Sequence, residues 1–290
     1  MINIIIPCTP NYENKRIINT VSKKIDIVSQ FIILCNSIKK NWNFDYKINL
    51  FYNKKYSFSD NDLSRITKLD IDVYPITPDY KKTPYMVRCN ALCENLKNKG
   101  THRLLLDCDT IALSNPRFNL NCDWQAMFAG SVIDSAFYNR INTRYNYNLD
   151  LKNKIKGKLF QKYIEDVENK KKYKYKNFFP HFNAGAILLK EELCAHFKEL
   201  VVPSYEISND LALPENIRHI GVQYAASFAL MKISNNWEPF EPGFNYLVKS
   251  YDADEFGKDK IQLLHYCGTG GYKVAYKYFK EQIDCLTKIL

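Results

Sequence analysis

Arg103-Leu104-Leu105-Leu106-Asp107-Cys108-Asp109-Thr110 decides the fold of this chain. An apolar run stops abruptly at two carboxylates one residue apart. A short apolar run of this kind reads as a buried strand. Its end at Asp107 sets Asp107 and Asp109 at the carboxyl edge of a sheet, where open α/β folds bind ligands. Side chains two apart on a strand point to the same side. Two carboxylates converging there need a cation, and Mg²⁺ or Mn²⁺ prefers such oxygen ligands, often shared with a substrate phosphate. The spacing predicts a site for a metal-chelated nucleotide.

Asp-x-Asp occurs four times in the chain, so the bare pattern decides little. Asp60/Asp62 lie in a polar stretch and read as a solvated turn or helix start. Asp70/Asp72 flank Ile71 at a strand entrance, and Asp252/Asp254 have no long apolar run leading in. Only Asp107/Asp109 follow strand-like sequence.

Upstream, strands are predicted at Ile2–Ile6 (stopped by Pro7), Tyr46–Tyr52 and Ile71–Ile76. Helices alternate with them: Ile25–Lys39, with apolar residues near helical spacing, then Asp60–Leu69, then Tyr85 to about Asn98. The last begins after Thr83-Pro84 and ends near Gly100. Alternating strands and helices imply a mainly parallel sheet.

Downstream, Trp124–Gly130 reads as a strand, with Asp134 just after it. Residues 142–177 are polar, Tyr- and Lys-rich; Leu151, Ile155, Leu159, Tyr163 and Val167 recur every four residues, fitting a helical insertion with a charged outer face. Phe182–Leu189 reads as a turn feeding a buried strand, in which Gly185 lets backbone approach a ligand. Helices follow at Glu191–Leu200 and His219–Met231, the latter carrying one conspicuous amide, Gln223. Ile261–Gly268 is a late strand ending in His265 and a Gly-rich turn, and Val274–Leu290 is an amphipathic helix. The expectation is one α/β domain over 1–290. Within it, 1–135 forms a nucleotide-binding half, 142–177 a helical insertion, and 178–290 an acceptor half with the late strand.

The chain has 290 residues, 46% apolar and 25% charged, enough for a sizeable core. Its formal net charge is +10, but Lys152 to Lys176 alone holds ten lysines, so the excess is local. That segment is compatible with peripheral contact to a membrane surface. Nine cysteines without paired Cys-x-x-Cys spacing argue against structural zinc and against a disulfide framework. Met1–Pro7 lacks a signal sequence's basic leader, and no run approaches the ~20 apolar residues of a membrane span. A cytoplasmic, soluble protein is expected.

Asp107/Asp109, Phe182–Gly185, Gln223 and His265 with its Gly-rich follow-on stand in an order that resembles the nucleotide-sugar glycosyltransferases of the GT-A fold. The nearest likeness is to glycosyltransferase family 8, the glycogenin and bacterial galactosyl- and glucosyltransferase group. The matching segments are Leu104–Asp109, Phe182–Leu189, Gly221–Ala225, and His265-Tyr266-Cys267-Gly268 with Lys273. Val222 stands where the family often has an acidic residue, and Gly270-Gly271-Tyr272 makes a longer spacer before Lys273. The resemblance implies a Rossmann-like GT-A domain with a mixed, mainly parallel sheet flanked by helices, a metal-dependent hexosyltransferase with a UDP-linked donor, and retention of anomeric configuration.

Each residue has a chemical role to offer. Asp109 is expected as the direct metal ligand, and Asp107 shares the metal or accepts a ribose hydroxyl. A neutral His265 imidazole would complete a mixed shell suited to Mn²⁺ (or Mg²⁺). Lys273 and the Gly268 turn would meet the diphosphate. Asn183 has a donor and an acceptor for sugar hydroxyls, Gln223 would approach the anomeric centre or the sugar, and Asp134 would contact the sugar. Arg88 resembles a family arginine that contacts the donor and would bridge a carboxylate and a phosphate. Thr9 and Tyr12, after the first strand, match where such folds hold the base. The acceptor is a glycan, a lipid-linked sugar or a protein side chain, and no nucleic acid is expected.

Two rival readings remain. Asp107-Cys108-Asp109-Thr110 also resembles the first motif of haloacid-dehalogenase phosphatases, with Asp107 as nucleophile. That family places its motif on the first strand and needs a late acidic motif that is missing here. A basic nucleic-acid-binding protein would rest on the lysine segment alone.

Overall fold

The computed structural model describes residues 1–8, 18–19, 24–77, 86–133, 179–210, 218–248, 257–267 and 269–287. In chain order the elements are β1 (Ile2–Pro7), β2 (Ile18–Asn19), β3 (Lys24–Ile25), α1 (Ile27–Asn41), β4 (Tyr46–Asn53), α2 (Asp60–Thr67), β5 (Asp72–Ile76), α3 (Met86–Cys93), β6 (His102–Leu106) and β7 (Thr110–Ala112). They continue with β8 (Trp124–Ile133), β9 (Phe179–Lys190), α4 (Cys194–Asp210), α5 (Arg218–Ile233), β10 (Trp237–Pro239), β11 (Tyr246–Leu247), β12 (Leu263–His265) and α6 (Thr269–Thr287).

Among the described residues, a seven-stranded sheet runs β10-β8-β9-β6-β1-β4-β5. Strand β9 is antiparallel to both neighbours, and the other pairings are parallel. The leucine run explains why β6 lies inside. Leu104 and Leu106 pack on one face with α1, while Leu105 packs on the other with α3, α4 and α5. A strand covered on both faces needs an unbroken apolar sequence. A small sheet, β11-β12-β7, is covered by α6 through Tyr272, Ala275, Phe279 and Ile283.

Helix α1 begins where Asp26 Oδ1 accepts from Ser29 N (2.7 Å), and Ser59 caps α2 in the same way. Five expectations need correction. Helix α3 stops at Cys93 rather than near Asn98, because the Arg103 guanidinium takes the carbonyls of Leu92 (2.9 Å) and Glu94. Phe182–Gly185 is no turn but the interior of β9, where the register against β8 jumps from Ile187↔Ala126 to Asn183↔Met127. The bulge of Ala184 to Ala186 re-aims the chain there. Helix α4 runs past Leu200 and through Pro203, since Val201 and Tyr205 continue its buried face. Helix α6 begins at Thr269, so Gly270 and Gly271 belong to its first turn and not to a flexible loop. At Gly271 a Cβ would fall 1.4 Å from the Tyr266 carbonyl oxygen, so that turn packs on backbone. The late strand also shortens to Leu263–His265. Thr9, Tyr12, Asp134, Gly268 and the 142–177 insertion lie outside the described residues. No helix among the described residues is long and apolar enough to cross a membrane.

Candidate metal centre

The parallel strands β1 and β6 end at one edge of the sheet, and the chain leaves β6 directly into Asp107-Cys108-Asp109. Two pairings hold this segment. Asp107 N donates to Gly185 O (2.8 Å), extending the β6/β9 ladder by one step. Thr110 opens β7, which pairs antiparallel with β12 in the register His265↔Thr110. That register brings His265, far away in sequence, beside Asp109. Tyr266 N donates to Asp109 O (3.1 Å) and closes the join.

The side chains then converge. His265 Nε2 lies 3.3 Å from Asp109 Oδ1 and 3.8 Å from Asp107 Oδ2. One ligand atom from each of the three residues lies within 4.8 Å of the other two, and each residue is only 4% exposed. The Arg88 guanidinium Nε sits 3.0 Å from Asp107 Oδ1. Gly185 supplies the space: a Cβ there would come 2.6 Å from His265 Cε1 and 3.0 Å from Asp107 Oδ2. Asn183 Oδ1 accepts from Gly185 N (2.7 Å), so the bulge is stitched by its own side chain.

Burial opposes a charge on His265, yet the Asp109 carboxylate, and after it the Cys267 side chain, holds the imidazole pKa well above its usual value. Among the described residues, the two carboxylates face the Arg88 guanidinium and the His265 imidazole, whose charge is an exchangeable proton. The donor set of two carboxylates and an imidazole suits a divalent cation of the Mn²⁺ or Mg²⁺ kind. His265 Nδ1 donates to Asn245 Oδ1 (2.9 Å), which leaves Nε2 facing the aspartates. The neighbouring Cys89 thiol is pushed by burial up to about 12, which keeps it inert.

Of the residues singled out in the sequence, Asp107, Asp109, His265, Arg88 and Asn183 come together. Gln223 sits on α5, half-buried, and accepts at Oε1 from His181 Nε2 (2.9 Å), two residues before Asn183 on β9. Lys273 is exposed in the first turns of α6. His181 and Asn245 were missed. His181 precedes the Phe-Asn-Ala-Gly stretch and was overlooked as a strand residue. Asn245 follows Pro242-Gly243, a turn signal that pointed to a structured corner.

No protein-family model and no curated protein matches this chain. Among solved structures, the galactosyltransferase LgtC in complex with donor and acceptor sugar analogues is similar over 99% of this chain and 96% of its own, with 12% identity and a TM-score of 0.52. An active-site mutant of LgtC is similar over 97% of this chain and 100% of its own, with 12% identity and a TM-score of 0.50. The fold is GT-A. The mixed sheet of a GT-A domain accounts for the antiparallel β9, which the alternating strand-and-helix pattern had not required.

Proposed function

We propose that this chain is a metal-dependent glycosyltransferase that moves a sugar from a nucleotide-sugar, UDP-linked, to a glycan, lipid-linked or protein acceptor. The observation that carries the reading is the buried Asp107–Asp109–His265 cluster at the carboxyl edge of a GT-A sheet. Asp109 and His265 Nε2 would hold the cation, with Asp107, which pairs with Arg88, as a further ligand. When bound, Mn²⁺ or Mg²⁺ neutralises charge developing on the departing diphosphate.

The chain's own groups do the rest. Arg88, paired with Asp107, adds positive charge on the side where a diphosphate would lie. Lys273, near the start of α6, adds a second cation for the same anion. Asn183 and Gln223 face sugar hydroxyls. With its Oε1 engaged by His181, Gln223 presents its amide nitrogen as the donor. Family 8 resemblance points to retention of anomeric configuration.

Binding and hydrolysis of a panel of nucleotide-sugars, with Mn²⁺ or with EDTA, test the reading on wild type and Asp109→Ala. Metal-dependent turnover of one donor, lost in the variant, is expected. A folded wild-type protein that binds no donor contradicts it.

A further inference from the structure

A buried asparagine does not take a left-handed backbone and leave an amide nitrogen without a partner for nothing. Asn245 is 0% exposed, sits at φ +60°, and its Nδ2 has no hydrogen-bond partner among the described residues. Asparagine tolerates that backbone better than other side chains bearing a Cβ. What the side chain does achieve is one contact: its Oδ1 accepts from His265 Nδ1 at 2.9 Å.

The surrounding chain is built to hold it there. Phe244 N donates to Glu241 O (2.8 Å), closing the turn that ends at Asn245. Gly243 O accepts from both Gln262 N (2.8 Å) and Leu263 N (3.2 Å), and Gln262 Nε2 donates to Glu241 Oε2 (2.7 Å). A Cβ on Gly243 would fall 2.0 Å from the Lys260 carbonyl oxygen, so the turn lies flush on the chain leading into β12. From there β11 pairs with β12 in the register Leu247↔His265. The corner and the histidine are locked to one another through backbone.

We infer that Asn245 is a positioning residue: its amide oxygen fixes a proton on His265 Nδ1 and turns Nε2 toward Asp109 and Asp107. This rests on the metal-site reading above.

The test is Asn245→Gly, which removes the acceptor yet accepts the left-handed backbone, with Asn245→Asp as the variant that keeps an acceptor. Mn²⁺ affinity, read by calorimetry on the folded proteins, should fall about 10- to 100-fold in Asn245→Gly and recover at least in part in Asn245→Asp. Independently of any metal, the slowly exchanging His265 Nδ1–H resonance should be present in wild type and Asn245→Asp and lost in Asn245→Gly. An unchanged resonance together with unchanged Mn²⁺ affinity in Asn245→Gly overturns the proposal. If wild type binds no Mn²⁺ but the resonance behaves as stated, the metal reading fails and the positioning of the ring by Asn245 stands.

Discussion

Strand β6 carries a charge cluster at each end, and the two are built differently. At its start, Arg103 makes four hydrogen bonds: Nε and Nη2 donate to Glu191 (2.8 and 2.5 Å), and Nη1 donates to the carbonyls of Leu92 and Glu94. At its end, Asp107 and Asp109 face Arg88 and a histidine whose charge is only a proton. The first cluster balances fixed ions and joins α3 to the sheet. The second balances two carboxylates partly with a group that exchanges with solvent. A divalent cation can take the place of a proton, whereas it has nothing to displace at Arg103. The contrast separates a structural ion pair from a candidate binding site within four residues of one strand.

The largest effect should come at the structural end. Arg103→Ala strands the Glu191 carboxylate and two helix-terminal carbonyls, and should lower stability in urea unfolding by about 3–5 kcal/mol. Mn²⁺ affinity of the fraction that remains folded should not change. Asp109→Ala should reverse that pattern. It should cost ~10³-fold in transferase rate, about 4 kcal/mol of transition-state stabilisation, while the melting temperature falls less than in Arg103→Ala.

Two smaller perturbations sharpen the boundary. Gly185→Ala pushes a Cβ against His265 and Asp107, and should weaken Mn²⁺ binding about tenfold while destabilising by about 1–3 kcal/mol. The pH dependence follows from the raised His265 pKa. In metal-free protein, its stabilising contribution is fully present below the unfolded pKa and is lost as pH rises through the folded value. The cation competes for the same nitrogen, so Mn²⁺ affinity should rise with pH across that window, approaching about tenfold per pH unit. Thermal melts with EDTA and with Mn²⁺ should therefore diverge as the solution becomes alkaline.

Much of this was legible in residues. Leu104–Leu106 could only be an interior strand, and the carboxylates that end it had to lie at the sheet edge. His265 was reachable because the late apolar run ended on it. What stayed hidden depends on contacts between distant segments. Helix α3 ends where it does because Arg103, ten residues on from Cys93, caps it. Gly270 and Gly271 signalled a loose turn, yet contact with the Tyr266 carbonyl makes them the start of a helix. Phe182–Gly185 signalled a turn, but β8 and β6 hold it as a bulged strand. Asn245 acquires its role only from a corner clamped to Gln262 and Leu263 and a register that sets it beside His265.

Asp107, Asp109 and His265 are expected to hold a divalent cation that a nucleotide diphosphate shares. Calorimetric titration of Mn²⁺ into the protein, without and with UDP, tests it most directly on wild type, Asp109→Ala and Arg103→Lys. The account predicts one site in wild type, tightened by UDP, absent in Asp109→Ala and kept in Arg103→Lys. Equal Mn²⁺ binding by wild type and folded Asp109→Ala, or no coupling between Mn²⁺ and UDP, would contradict it.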